Sequence, residues 1–114
     1  MAPSENMPVN DNIEHADKLV DLVKYREGSI TTKILADKKV GKVELFAFTE
    51  GQGLGEHLSR FDDLAYILDG EAEIIIAGKI FHVKAGEMIV LPENKIHAIK
   101  AKKRFKMMLI MIKA

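Results

Sequence analysis

Apolar positions follow two different periods along this chain. From His15 to Val23 the apolar residues Ala16, Leu19, Val20 and Val23 fall at helical spacing, which predicts one short helix ending before Gly28. Beyond Gly28 the period becomes two and stays there. Ser29 to Ala36 and Lys42 to Thr49 alternate, and Leu64 to Leu68 and Ala72 to Ala77 form short apolar runs around Asp69-Gly70, a pair that predicts a two-residue hairpin. Lys79 to Val83 follows the tight turn Ala77-Gly78, and Glu87 to Leu91 lies between Gly86 and Pro92. Ile96 to Ala101 and Phe105 to Ile112 are separated by the basic turn Lys102-Lys103-Arg104. About eight or nine short strands with frequent turn signals predict an all-β barrel or sandwich. Several strands are apolar on both faces, so the outer surface needs a cover: a helix, an arm or a second copy of the chain.

Residues 1–12 are polar and hold two of the three prolines, which predicts a flexible arm ahead of one domain over 13–114. With 114 residues, 47% of them hydrophobic, the chain has material for one core. Seventeen basic and seventeen acidic residues cancel, which argues against a protein that neutralises many phosphates and against a polybasic membrane anchor. The absence of cysteine excludes disulfides, thiolate metal sites, iron–sulfur clusters and a cysteine nucleophile. No signal-peptide pattern opens the chain, and runs such as Met107 to Ile112 are too short to span a bilayer, so a cytoplasmic protein bound to neither membrane nor nucleic acid is expected. Lys100, Lys102, Lys103, Arg104 and Lys106 read as a solvated turn. Gly51-Gln52-Gly53-Leu54-Gly55 is followed by a strand pattern, whereas a phosphate cradle needs a helix there.

Two segments carry spacing that points to chemistry. The first runs Gly51, five residues, His57-x-Ser59, three residues, Asp63, six residues, Gly70. The second runs Gly86, five residues, Pro92-x-Asn94, two residues, His97, three residues, Ala101. Together they resemble the two motifs of the cupin superfamily, in its small single-domain form (cupin 2 type, conserved barrel). The resemblance implies an all-β, cupin-type double-stranded β-helix (jelly-roll) barrel. It also implies that the motif histidines and carboxylate face the interior and hold one divalent metal. Carried over residue by residue, the ligand set is His57, Asp63 and His97, with Ser59 where a second histidine usually stands. Two imidazoles and a carboxylate suit iron, manganese, nickel or zinc with positions left open. Serine is a poor ligand at neutral pH, and aspartate is one methylene shorter than the glutamate it replaces. Without a metal, His57 and His97 would bond to Asp63, Ser59 or water in a polar pocket, or Asp63 would cap the turn after Arg60-Phe61-Asp62. Asn94, in place of glycine, is the residue that best tolerates a left-handed turn.

Tyr66, Phe48 and Met107 are candidate pocket-lining residues, with ordinary core packing as the alternative. In the last strand Phe105, Met107, Leu109 and Met111 share one face, and Met108, Ile110 and Ile112 the other. His82 and His15 are expected at the surface, and Glu71 and Glu73 on the exposed face of a hairpin. Two functions are compatible with this pattern. One is a site on His57 and His97 that binds a divalent metal and acts on a small organic molecule, with no organic cofactor. The other is a metal-free barrel that binds a small ligand as a sensor or accessory module, without catalysis. Either is expected as a homodimer.

Overall fold

A computed structural model describes residues 15–113. The arm expected over 1–12 lies outside the described residues. Eight strands follow in order: β1 Ile30–Lys38, β2 Gly41–Phe48, β3 Gly53–Leu58, β4 Asp63–Ile76, β5 Lys79–Lys84, β6 Met88–Leu91, β7 Ile96–Lys100 and β8 Phe105–Ile112. All pairings are antiparallel, and the main path through the sheet runs β1-β2-β8-β4-β7-β3, with β5 and β6 also on β4.

Strand β4 holds the two halves of the barrel together. Over Asp63–Gly70 it pairs with β8 and β6, and over Glu71–Ile76 it pairs with β5 and β7. The Asp69-Gly70 pair, predicted to turn a hairpin, instead bends this one long strand. Gly70 has φ +78°, and the register against β8 shifts between Ile67 and Asp69. Such an irregularity lets a strand leave one sheet and join the next. A Cβ on Gly70 would fall 2.5 Å from the Arg104 carbonyl oxygen, so a hydrogen is the only side chain that fits.

Alternation decides what is enclosed. Phe46, Phe48, Ile67, Ile74, Ile99, Phe105 and Met107 meet between the sheets, and Phe48 stacks on Phe105 at 4.6 Å and on Phe46 at 5.7 Å. Leu45 and Ala47, pointing the opposite way, are also fully buried, because Leu19, Leu22, Val23 and Tyr25 cover that end of the outer face. The predicted helix over His15–Val23 reduces to a single 3-10 turn at Leu19–Asp21, preceded by an extended Lys18 with no side-chain cap. The apolar outer face around Leu45 and Ala47 offers Leu19, Leu22 and Val23 more contact than a short uncapped helix could gain by itself. The segment is fastened by the Tyr25 hydroxyl donating to Asp69 at 2.6 Å and by Lys106 Nζ donating to the Val20 carbonyl at 2.7 Å. Burial, then the Asp69 contact, pushes the Tyr25 phenol well above its ordinary range. No described helix is long and apolar enough to cross a membrane.

Candidate functional site

Among the described residues β3 is an edge strand, hydrogen-bonded as a strand to β7 alone. Gly53 lets it approach, since a Cβ there would lie 2.5 Å from the Ile99 carbonyl oxygen. Leu54 pairs with Ile99, the register then slips, and it resumes with His57 opposite His97. The two imidazoles meet edge to face, with ring centroids 4.2 Å apart and planes at 81°. The pair predicted from motifs forty positions apart is therefore assembled. The two rings differ sharply in surroundings. His57 is exposed, and its Nδ1 lies 2.9 Å from the Gly55 carbonyl oxygen. A carbonyl only accepts, so Nδ1 carries the hydrogen and Nε2 is left as a free acceptor. His97 is fully buried, and among the described residues neither of its ring nitrogens has a hydrogen-bond partner. Burial, and secondarily repulsion from His57, lowers its pKa below the usual 6.5, so the ring stays neutral.

Asp63 opens β4 on the inner face that it shares with Ala65 and Ile67, and it is buried. Burial raises its pKa above 3.8. The nearby His57 pulls it back, Asp62 raises it, and the Ser59 hydroxyl lowers it. Asp63 is not the turn cap. That task falls to Ser59, whose Oγ donates to the Phe61 carbonyl at 2.9 Å and accepts from the Phe61 amide at 3.2 Å. Asp62 Oδ1 accepts from the Glu93 amide at 2.8 Å, and the Asn94 amide donates to the Ser59 carbonyl, also at 2.8 Å. These bonds tie the two motif loops together. Asn94 occupies the left-handed region at φ 60°, in keeping with its residue type.

Comparisons with known proteins identify the fold. Residues 44–113 match the family model described as Cupin domain. This chain belongs to the cupin family. Its barrel is similar to a cupin superfamily protein from Desulfitobacterium hafniense, at 31% identity over 99% of this chain and 100% of that one, with a TM-score of 0.87. It also resembles a conserved protein of unknown function from Streptococcus pyogenes, at 32% identity over 90% and 92% of the two chains and a TM-score of 0.83. A cupin 2 conserved barrel domain protein from Leptotrichia buccalis is 41% identical over 83% of this chain and 46% of its own, with a TM-score of 0.81. No curated protein matches the chain.

A resident metal, which the family resemblance implies, is not fully provided for by this cupin's side chains. Among the described residues no three His, Cys, Asp or Glu side chains converge closely enough to hold an ion. Two imidazoles come together, Asp63 stops short of completing a cage with them, and the Ser59 hydroxyl is engaged in its own turn.

The remaining candidates divide by strand face. Phe48 and Met107 point inward and are fully buried as parts of the packed core. Tyr66 does not line the interior. It lies on the outer face of β4, one position out of phase with inward Ala65 and Ile67, and is 36% exposed. His82 is exposed 3.4 Å from Glu71, and His15 is exposed as expected. Glu73 departs from expectation: it is buried, with Lys102 Nζ at 3.2 Å answering its charge. Sequence reasoning also passed over Glu44, which shares the face of Phe46 and Phe48 and is paired with Lys42 at 3.3 Å. Its parity with those two phenylalanines was the available signal.

Proposed function

We propose that this cupin is a small-ligand binding module whose anchor is the imidazole of His97, assisted by His57 at the lip. The supporting observation is the fully buried His97 ring with both nitrogens unpartnered. Each buried polar group left unbonded costs about 1–3 kcal/mol, so such a group is retained where something else satisfies it. A neutral imidazole offers one donor and one acceptor. A complementary ligand presents the reverse pair, as a primary amide, a lactam or a hydroxyl does. The test is a nuclear magnetic resonance screen of small neutral amides, lactams and alcohols. Fragments that bind should shift the His97 ring signals and lose binding in His97→Leu. A screen with no binders, or binders indifferent to that substitution, overturns the reading.

A divalent ion on the two imidazoles is the second reading, favoured by the bare Nε2 of His57 beside His97. Elemental analysis of protein purified without a histidine tag tests it. Stoichiometric iron, manganese, nickel or zinc that disappears in His97→Ala supports it, and absence after metal supplementation rejects it.

We also propose that a second copy of the chain covers the outer face beyond Tyr25. Cross-strand neighbours there are Val43, Ile110, Leu64 and Val90 in one row, and Tyr66 and Met88 in the next. Met88 and Val90 are 49% and 41% exposed. The patch carries no charge, so two copies related by a two-fold axis meet without repulsion, and a face of this kind is what dimers bury. Light scattering should give twice the chain mass, and Tyr66→Lys with Val90→Lys should give a monomer. A monomeric wild-type chain at micromolar concentration contradicts the pairing.

A further inference from the structure

On the side of the barrel away from β3, the edge strands β5 and β6 leave an open crevice of about 420 Å³. Its floor is apolar: Ile76, Phe81 and Ile89 are inner-face side chains packed against the core, and Val90 and Pro92 form one wall. Two cations, Lys79 and Lys95, also line it, and among the described residues no acidic side chain does. Neither lysine takes part in the ion pairs found among the described residues, which use Lys42, Lys102, Lys113 and His82. Lys79 Nζ sits 5.3 Å from the centroid of the Phe81 ring, which holds the ammonium over the crevice wall. The lip is strained as well. Ala77, in the turn between β4 and β5, takes φ 49°, a conformation that glycine or asparagine would adopt more easily.

From this combination we propose a second binding site, for a small amphipathic monocarboxylate. The apolar body lies on Phe81, Ile89 and Pro92, and the carboxylate sits between Lys79 and Lys95. Charge complementarity selects an anion over an amine. An apolar floor selects against a phosphate dianion, whose second charge would cost more to desolvate than two flexible ammonium groups return. The volume lies within the range of small-molecule sites. Ile76 is the cross-strand neighbour of His97, so the crevice floor adjoins the buried imidazole on the same sheet face. The site nonetheless stands on its own lining and does not depend on the reading of His97.

The test is calorimetric titration of the full chain with monomeric octanoate, octanol and octylammonium, with methyl chemical shifts recorded in parallel. Octanoate should bind, octanol more weakly and octylammonium not at all. Added salt should weaken octanoate binding. The double variant Lys79→Met/Lys95→Met should lose affinity by about tenfold, the combined effect of two exposed ion pairs. Both lysines are exposed, so the variant should fold as the wild type does. Shifts should appear at Ile76 and Ile89, with octanoate binding retained in His97→Leu. No octanoate binding, equal affinity in the double variant, or shifts confined to His57 and His97 would each overturn the site. The last of these would leave the His97 reading intact, and a failed fragment screen beside lysine-dependent octanoate binding would do the reverse.

Discussion

The two ends of this barrel's interior are built from the same alternating strands and treat their contents in opposite ways. At one end Phe46, Phe48, Phe105 and Met107 interlock, with stacked rings and no polar atom left wanting. At the other, His97 is buried just as completely beside His57, and no described protein group bonds its two nitrogens. Folding alone accounts for the aromatic end. It does not account for the imidazole end, where leucine would pack without leaving a nitrogen unbonded. The difference separates what the fold needs from what it tolerates on behalf of something else.

The aromatic end should therefore break under truncation. Phe105→Ala should cost about 3–5 kcal/mol, read as a fall in the denaturant midpoint, because it removes a fully buried ring that stacks on Phe48. Gly70→Ala, beside Phe105, should cost about 1–3 kcal/mol by the same measurement, from the positive φ and the clash with Arg104.

At the imidazole end the sign should reverse. His97→Leu should be neutral or stabilise the apo protein by about 1 kcal/mol at pH 7, since it removes two unbonded buried atoms. The pH dependence sharpens this further. An unfolded histidine takes up a proton near pH 6.5, while the folded His97 resists it. The unfolded state thus binds more protons as pH falls below 6.5, and wild-type stability declines there until the folded ring also protonates. In His97→Leu that slope, at most about 1.4 kcal/mol per pH unit, should vanish from denaturation curves. Asp63→Asn should have the smallest effect, a gain of about 1 kcal/mol or less at pH 7. The folded carboxyl titrates above 3.8, so the wild type loses stability as pH rises from 3.8 through the folded value. The advantage of the amide should shrink as pH is lowered toward 3.8.

How much of this was legible in the sequence follows the same divide. Alternation put Phe105, Met107 and Leu109 on one shared face, and burial shows that this face is the inner one. Motif spacing brought His57 opposite His97. The bend at Asp69-Gly70 was misread as a hairpin because the same glycine conformation serves a turn and a sheet-to-sheet bend, and only the pairing partners of β4 tell them apart. The short helix failed because the sheet beneath Leu19, Leu22 and Val23 decides their conformation, and periodicity does not record it. Tyr66, a candidate for the pocket or the core, alternates with Ala65 and Ile67, whose burial fixes it on the outside. The exposure of His57 was not legible at all, since it follows from β3 being an edge strand.

The central claim is that His97 is held buried, neutral and unbonded next to His57. Titrating the ring nitrogens of His97 by nuclear magnetic resonance from about pH 8 downward tests it directly, since that start lies well above the ordinary histidine value. The account predicts that the His97 ring half-protonates only below pH 6.5. A His97 that titrates at or above 6.5 would mean the imidazole is solvated or already paired with a carboxylate, and the case for a ligand anchor would be lost.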